Sequence, residues 1–320
     1  MKVVVTGGAG FIGGNLCARL RDTAGIDGVT VLDDLSTGRR ENLDGSGATL
    51  VTGSILDADA LDAVLSGADA VVHLAARPSV ARSVADPEPT HDSNATGTLR
   101  VLEAARRHGG PQVLVASSSS VYGANPALPK HEGLVPQPVS PYAVSKLAAE
   151  SYALAHQHTY GLPVLAFRFF NVFGPLQAAG HAYAAVVPAF VQAALTGQPL
   201  TVHGDGRQSR DFTYVDTVTE VLTQAVLGRV SSPGPVNLAF GTRTELLDVV
   251  ALLEQLLGGP LVVEHTAPRP GDVPHSQAAD DRLRELFPRV RPVPLSEGLR
   301  ATVEWTRAAL SATGGAPQRC

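Results

Sequence analysis

The sequence predicts an α/β fold in which a doubly wound, parallel sheet is followed by a smaller α/β unit on the C-terminal side. Three observations carry that expectation. Strand-like and helix-like runs alternate through the first half, as they do in successive βαβ units. The strand-like runs are apolar throughout rather than alternating, as strands covered on both faces are. A glycine-rich turn joins the first strand-like run to the first helix-like one.

Taken in order, "KVVVTG" is an apolar run closed by glycine and reads as the first strand. "FIGGNLCARLRD" follows, with Ile12, Leu16 and Leu20 at helical spacing. "VTVLDD" reads as a second strand, "LDAVLSG" as a short helix and "ADAVVHLAA" as a third strand. "SNATGTLRVLEAARRHG" is a helix stopped by glycine, "QVLVASSSS" a strand, and a helix from about Ala143 to Tyr160 leads into the strand "PVLAFRFFNV". The second half is less regular. "AYAAVVPAFVQAALTG", "TVTEVLTQAVLG" and the amphipathic "ELLDVVALLEQLLGG" read as helices, the last with its apolar face in the core. "LTVHGDG" and "PVNLAFG" read as strands, "HTAPRPGDVPHS" as a loop and "SATGGAPQRC" as a frayed end.

Composition narrows the function. The 320 residues are 44% hydrophobic with a formal net charge of −5, enough for a sizeable core. The small charge and the lack of a basic run argue against a nucleic-acid partner, so local groups must hold any anionic ligand. Cys17 and Cys320 are the two cysteines, which argues against a disulfide framework and fits a reducing cytoplasm. "MKVVV" is already strand-like rather than a leader, and no window has the length of a membrane span. The ten histidines show no metal-ligand spacing, and His156 and His158 fall on different faces of their helix, so no metal site is expected.

Between the first strand and helix, Gly7, Gly10 and Gly13 are spaced G-x-x-G-x-x-G. Glycines there let backbone N–H groups approach a pyrophosphate at a helix N-terminus. Asp33, twenty residues after Gly13, closes the second strand. A carboxylate at that point accepts hydrogen bonds from ribose hydroxyls and repels a 2′-phosphate. A Rossmann-type sheet binding NAD rather than NADP is the reading.

"SPYAVSKLAAE" places Tyr142 and Lys146 four residues apart, about 6 Å along a helix and on one face. An ammonium beside a phenol favours phenolate and lowers the phenol from its usual value of about 10. Tyr142 is thus a candidate general base. Chance pairs of this kind are common on helices, but "SSSSVYG" ends the strand just before. Strand C-termini in a doubly wound sheet face the ligand crevice, where a serine hydroxyl can share a substrate proton.

Together, "TGGAGFIG", "HLAA", "SSSSVYG", "PYAVSK", "RFFNVFGP", "GDGRQSRDFTYV" and "RPGDVPHS" resemble the extended short-chain dehydrogenase/reductase family, and within it the UDP-sugar 4-epimerases. The likeness runs in order from about Val3 to Trp305. It implies catalysis by Ser118, Tyr142 and Lys146, with NAD as cofactor. It places Gly7, Gly10, Phe11, Ile12 and Gly13 at the cofactor's pyrophosphate, and Asp33, Asp34, Ser36, Thr37 and Gly38 around the adenosine. Ser54, Ile55, Leu74, Ala75, Ala76, Asn94, Ser117 and Phe169 complete the cofactor contacts, with Tyr142 and Lys146. For a UDP-hexose it implies Ser79, Ser118, Ser119, Tyr142, Asn171, Val187, Arg210, Arg269, Asp272 and Ser276, the arginines suiting bidentate phosphate binding.

The departures from the family pattern are informative. Dehydratases carry an Asp-Glu pair after the catalytic hydroxyl residue, and decarboxylases a glutamate at the second position; here these positions are Ser119 and Ser120. Glucuronate epimerases have threonine where this chain has Asn171. Ser276 stands where epimerases restricted to glucose and galactose tend to hold a tyrosine, leaving room for a 2-acetamido group. Ser54 replaces an adenine-contacting aspartate, which leaves the adenine contact, and whether Asp57 compensates, open; Phe169 replaces a tyrosine, and Thr217 the second aspartate of a "VDD". The expected function is an NAD-dependent UDP-sugar 4-epimerase. The alternatives are a UDP-glucuronate 4-epimerase or NDP-sugar dehydratase, and then a non-catalytic NAD-binding sensor. Residues 1–170 with about 213–243 are expected to hold NAD, 171–212 and 244–311 the nucleotide sugar, and 312–320 to fray. The resemblance also implies a homodimer through the helix beginning near Ala143.

Overall fold

The computed structural model of the protein describes residues 1–179, 185–267 and 274–314, the side chains of 313 and 314 excepted. The chain alternates β1 (Lys2–Thr6), α1 (Phe11–Arg21), β2 (Gly28–Asp33), β3 (Thr49–Thr52), α2 (Ala58–Leu65) and β4 (Ala70–His73). Two short helices, α3 (Val80–Ala85) and α4 (Glu88–His91), precede a π-helical turn at Asp92–Thr96 and α5 (Gly97–Arg107). Then come β5 (Gln112–Ser118), a 3₁₀ turn at Ser119–Tyr122, α6 (Pro141–Tyr160), β6 (Val164–Phe169) and β7 (Asn171–Phe173). The remainder comprises α7 (Val186–Leu195), β8 (Leu200–His203), β9 (Ser209–Arg210), β10 (Phe212–Tyr214), α8 (Val215–Leu227) and β11 (Val236–Leu238). It ends with β12 (Thr244–Glu245), α9 (Leu246–Leu257), β13 (Val263–Thr266), α10 (Asp281–Leu286) and α11 (Leu295–Gly314).

Seven parallel strands form the central sheet in the order β11-β6-β5-β4-β1-β2-β3. The chain leaves β1 in one direction and returns at β4 in the other, so the switch point lies between these two strands, where an open α/β sheet binds its ligand. Because side chains alternate across the sheet, Val3, Val5, Leu114, Leu165 and Phe167 pack with α1 and α8. Val4, Val71, Val113, Val115 and Val164 pack with α2 and α5 on the other face. Each such fully buried aliphatic or aromatic side chain stabilises by about 1.5–3 kcal/mol. A second core joins α7, β8, α9 and α11 through Val187, Phe190, Leu200, Val249, Leu253 and Leu299.

The catalytic-candidate helix α6 starts sharply. Ser140 accepts a hydrogen bond from Ala143 N, Pro141 stands in the first turn, and Gly161 ends the helix with φ +67°. Several sequence expectations need correction. The third strand is Thr49–Thr52, with the "AVVH" segment fourth. "PVLAFRFFNV" is two strands broken at Phe170, and the second pairs with β10 outside the main sheet. The α7 helix begins only at Val186. The C-terminal helix runs through Gly314, so 312–314 are helical rather than frayed; 315–320, with Cys320, lie outside the described residues. Cys17 is buried in α1.

Candidate active site

The glycine turn is cradled by its neighbours. Gly7 has φ +72°, and a Cβ there would lie 2.6 Å from Ala75 N, so only glycine brings this backbone onto the end of β4. A Cβ on Gly13 would lie 2.4 Å from the Gly7 carbonyl, which is how closely α1 sits on the turn. Gly10 precedes α1 without a side-chain cap, leaving the first-turn amides of Phe11, Ile12 and Gly13 for an anion.

Asp33 is buried at the end of β2 and accepts hydrogen bonds from Ala9 N and Leu35 N, both at 2.9 Å. Burial raises its pKa, and the two amides pull the other way. The carboxylate thus pins the glycine turn to β2, with lone pairs left for a ribose. Exposed Asp34 accepts Ser36 N. A Cβ on Gly38 would lie 2.9 Å from the Ala9 carbonyl carbon, so the loop carrying Thr37 is pressed against the glycine turn. This donor set, uncapped amides at the start of α1 beside the Asp33 carboxylate, fits a dinucleotide.

Other cofactor candidates have protein partners of their own. Ser54 Oγ accepts Leu56 N, and Asp57 caps α2 by accepting Asp59 N and Ala60 N. Ile55 is buried against Gly97. Leu74 N donates to the Thr6 carbonyl, and Ala75 and Ala76 are half-buried beside it. Asn94 accepts from Arg77 N and donates to the Arg77 carbonyl and Ser145 Oγ, clamping the loop after β4 to α6. Ser117 Oγ donates to Glu150 at 2.7 Å. Phe169 stacks on Phe167. Thr217 Oγ1 receives Val293 N, a structural role for the "VDT" departure.

Ser118, Tyr142 and Lys146 meet at the C-terminal end of β5. Lys146 Nζ donates to the Ala116 carbonyl at 2.8 Å, and Ser118 Oγ donates to Ser120 Oγ at 3.0 Å while accepting Ser120 N. Tyr142 is half-buried, and its backbone N–H donates to Ser83 Oγ on α3 at 3.0 Å. Burial pushes the phenol pKa up, and hydrogen bonding with Ser118 opposes that. Burial draws the Lys146 ammonium down to about 8. The expected lowering of the phenol by Lys146 is therefore corrected: in the protein alone, desolvation of the phenolate is the larger influence.

Beyond the sheet lies a cavity of ≈ 440 Å³. It brings together Asn171, Val187 and Arg210, three of the expected substrate residues, with Phe190, Gln208 and Phe212. Arg210 Nη1 donates to the Ser209 and Pro274 carbonyls. Ser276 N donates to the Ser209 carbonyl at 3.0 Å, placing Ser276 beside the arginine's strand. Ser79, on the loop after β4, caps α3 with φ +107°, a strained backbone for a non-glycine residue. Ser119 is half-buried in the turn after Ser118. Arg269 and Asp272 lie outside the described residues. Sequence reasoning missed Ser83, Glu150, Arg168 and Asp211. Only Glu150 left a signal, standing one helical step of four beyond Lys146.

Among the described residues no helix is long and apolar enough to cross a membrane, and no group of three His, Cys, Asp or Glu is placed to hold a metal.

Residues 3–239 match the model of the NAD dependent epimerase/dehydratase family. A UDP-glucose 4-epimerase of Mycolicibacterium smegmatis is 38% identical over 314 residues, covering 96% of this chain and 99% of that protein. A dTDP-glucose 4,6-dehydratase of Streptomyces niveus is 36% identical over 323 residues, covering 96% and 93%. Among solved structures, a UDP-N-acetylglucosamine 4-epimerase from Methanobrevibacter ruminantium in complex with UDP-N-acetylmuramic acid superposes with a TM-score of 0.90 at 36% identity, covering 96% of this chain and 98% of that one.

Proposed function

The chain belongs to the NAD dependent epimerase/dehydratase family, and on that premise we propose that it is a UDP-sugar 4-epimerase. It interconverts UDP-glucose with UDP-galactose, and their 2-acetamido counterparts, through a 4-keto intermediate. One observation carries this reading. Ser118, Tyr142 and Lys146 gather at the end of β5, while the two positions after Ser118 are Ser119 and Ser120. Serine hydroxyls do not exchange protons at neutral pH as carboxyl groups do. Elimination of water lacks its acid and base here, whereas oxidation at C4 needs a single proton acceptor.

Tyr142 takes the proton of the sugar 4-hydroxyl, directly or through Ser118, as C4 loses hydride. NAD, when bound, supplies reversible hydride acceptance. The 4-keto sugar turns over between the two cores, hydride returns to the opposite face of C4, and Tyr142 gives its proton back to O4. No net oxidation results. Lys146 keeps a cation beside the phenol, and the glycine turn with Asp33 holds the dinucleotide in place. Asn171, Val187 and Arg210 supply the nucleotide end, making the second core the nucleotide-sugar lobe.

Ser276 supports the wider substrate range, since a small side chain there leaves room for an acetamido group. The similar archaeal protein is named for the N-acetylglucosamine substrate. Incubating the pure protein with UDP-galactose and with UDP-N-acetylgalactosamine, without added NAD, tests the reading by chromatography of the products. The C4 epimers are expected from both sugars, and Ser276→Tyr should depress only the acetamido reaction. A dehydrated keto or unsaturated sugar would identify a dehydratase, and no product would leave a cofactor-binding sensor. UDP-glucuronate turnover alone would restrict the enzyme to uronic acids.

The reading includes a homodimer, which the surface of α6 supports. Val144 and Tyr152 lie exposed about two turns apart on α6, Val139 lines the same surface hollow as Val144, and Val84 and Val139 are 66% and 59% exposed. Light scattering should give twice the chain mass, and Val144→Asp should halve it; a wild-type monomer would remove the dimer.

A further inference from the structure

The helix that carries Tyr142 and Lys146 buries no bulky apolar side chain completely; Leu147 packs, half-buried, on the core around Val121, Tyr122 and Phe170. The buried residues of the helix are Ala143, Ser145, Lys146, Ala149, Glu150, Ala153 and His156. Alanines permit close approach to the sheet but fix neither the rotation of a helix nor its position along the axis, because they offer no knob to lock into a groove. Beside the Leu147 contact, polar groups supply the directional constraints on this helix. Ser145 Oγ accepts from Asn94, Lys146 donates to the Ala116 carbonyl, and His156 bonds Glu103. The strongest anchor is Glu150. Its Oε2 accepts Ser117 Oγ at 2.7 Å and Arg168 Nε at 2.9 Å, and its Oε1 accepts Arg168 Nη2 at 2.6 Å. All three residues are buried, at 2–3% exposure.

The register explains how one carboxylate reaches two strands. Ser117 of β5 is paired with Arg168 of β6, and Arg168 with Asn237 of β11. These three side chains form a single polar rung on the face covered by α6. Arg168 also lies 4.6 Å over the Tyr122 ring, and Tyr122 OH donates to Asn237 Oδ1 at 2.6 Å. Asn237 Nδ2 donates to the carbonyls of Lys130 and Ala279. The rung therefore runs from the catalytic helix to the segment that carries Ser276. Glu150 is four residues beyond Lys146 and eight beyond Tyr142, on the same side of α6.

We infer that Glu150, clamped by Arg168 and Ser117, is a positioning residue that sets the rotation of α6 and so the placement of Tyr142 and Lys146 against Ser118. A planar, two-point guanidinium–carboxylate pair fixes both distance and angle, which a single hydrogen bond does not. The inference rests on the epimerase reading for its kinetic consequences only. A displacement of the proton acceptor of an ångström or less lowers turnover sharply, whereas the nucleotide pocket is lined by other elements and keeps its affinity.

Two variants separate positioning from mere stability. Glu150→Gln leaves Arg168 buried without its carboxylate, and Glu150→Gln/Arg168→Met removes both charges, so that no ion remains unpaired. In UDP-galactose turnover both should lose roughly 10–100-fold in kcat with KM within about twofold of wild type, a split expected for misplacement of the reacting group rather than loss of binding. The double variant should recover thermal stability without recovering kcat. Ser117→Ala, which removes one hydrogen bond, should lower kcat by about threefold to tenfold and guards against failure of the charge variants to fold. A second readout is the ultraviolet titration of the Tyr142 phenol, taken against the same variants carrying Tyr142→Phe; in the double variant, which leaves the net charge unchanged, the phenol should titrate higher because it is displaced from Lys146. A double variant with wild-type kcat, or a loss carried entirely by KM, would overturn the inference. If the wild-type protein turns over no UDP-sugar, the epimerase reading fails by itself, and an unshifted phenol in the double variant then overturns the positioning role.

Discussion

Tyr142 and Lys146 stand in the reverse of the order that proton abstraction requires. Burial raises the phenol above its usual range, and burial lowers the lysine to about 8. In the protein alone the ammonium loses its proton before the phenol does, and little phenolate forms near neutral pH. A further positive charge in the pocket, such as an oxidised nicotinamide ring would bring, favours phenolate and would lower the phenol. Phenolate absorbance, read as wild type minus Tyr142→Phe, should therefore appear at lower pH in NAD-loaded protein than in stripped protein. The loaded protein's kcat should rise with pH through that lower value, because the deprotonated phenol is the active form. Identical titrations of the two forms would defeat this account. The three residues were legible in the sequence because a four-residue helical spacing and a strand end are local features. The sign of the phenol shift was not legible, since desolvation depends on what covers the group. Arg168 was equally hidden, because its pairing with Glu150 depends on which strand lies next to β5.

At the scale of elements, the βαβ alternation was legible wherever strands are covered on both faces. It failed at Thr49–Thr52, the sheet edge, whose residues are half-buried or exposed and two of them threonine. It failed again at "PVLAFRFFNV", where a continuous apolar run hides the break at Phe170 and the change of partner to β10. The gap between β9 and β10 explains how that second layer is held. Asp211 there is fully buried. It accepts Thr242 Oγ1 at 2.8 Å, Ala278 N at 3.1 Å and the backbone amides of Phe240 and Thr242. One carboxylate thus joins the strand of Arg210, the loop after β11 and the segment of Ser276. Asp211→Asn would turn an amide donor toward those N–H groups and cost about 1–3 kcal/mol of stability. Under the proposed function the positions it disturbs would bind substrate without reacting, so KM for UDP-galactose should rise by about tenfold with kcat little changed. A fall in kcat at constant KM would contradict this division between the Asp211 tie and the Glu150 clamp.

For the molecule as a whole, the dependence of stability on pH is set partly by one imidazole inside the cofactor-side sheet. His73, at the end of β4, is buried between Thr6 of β1, 2.6 Å from Nδ1, and Thr98 of α5, 2.9 Å from Nε2. The hydroxyl of Thr98 donates to the Asn94 carbonyl at 2.6 Å, so its oxygen must accept from His73 Nε2–H. That leaves Nδ1 as acceptor for the Thr6 hydroxyl, and the ring neutral. Burial, with the charge of Lys146 adding to it, holds its pKa down to about 3. The folded value thus lies below the unfolded value of about 6.5, and the unfolded chain binds the extra proton first. The His73 contribution is complete above pH about 6.5 and is lost progressively as pH falls toward about 3. Its slope approaches 1.4 kcal/mol per pH unit within that window. Glu103, lowered to about 2 by Arg106 and His156, begins to lose its contribution as pH falls into the ordinary carboxylate range near 4.5, so of these two groups His73 weakens first. Urea unfolding at pH 7, 6 and 5 should show stability falling over this range in the wild type. His73→Gln should be less stable at pH 7, with a flatter dependence between pH 6.5 and 5. An equal slope in the variant would mean that the imidazole is not the group that titrates, and that the link from the first strand through α5 to the Asn94 clamp on α6 bears acid without loss.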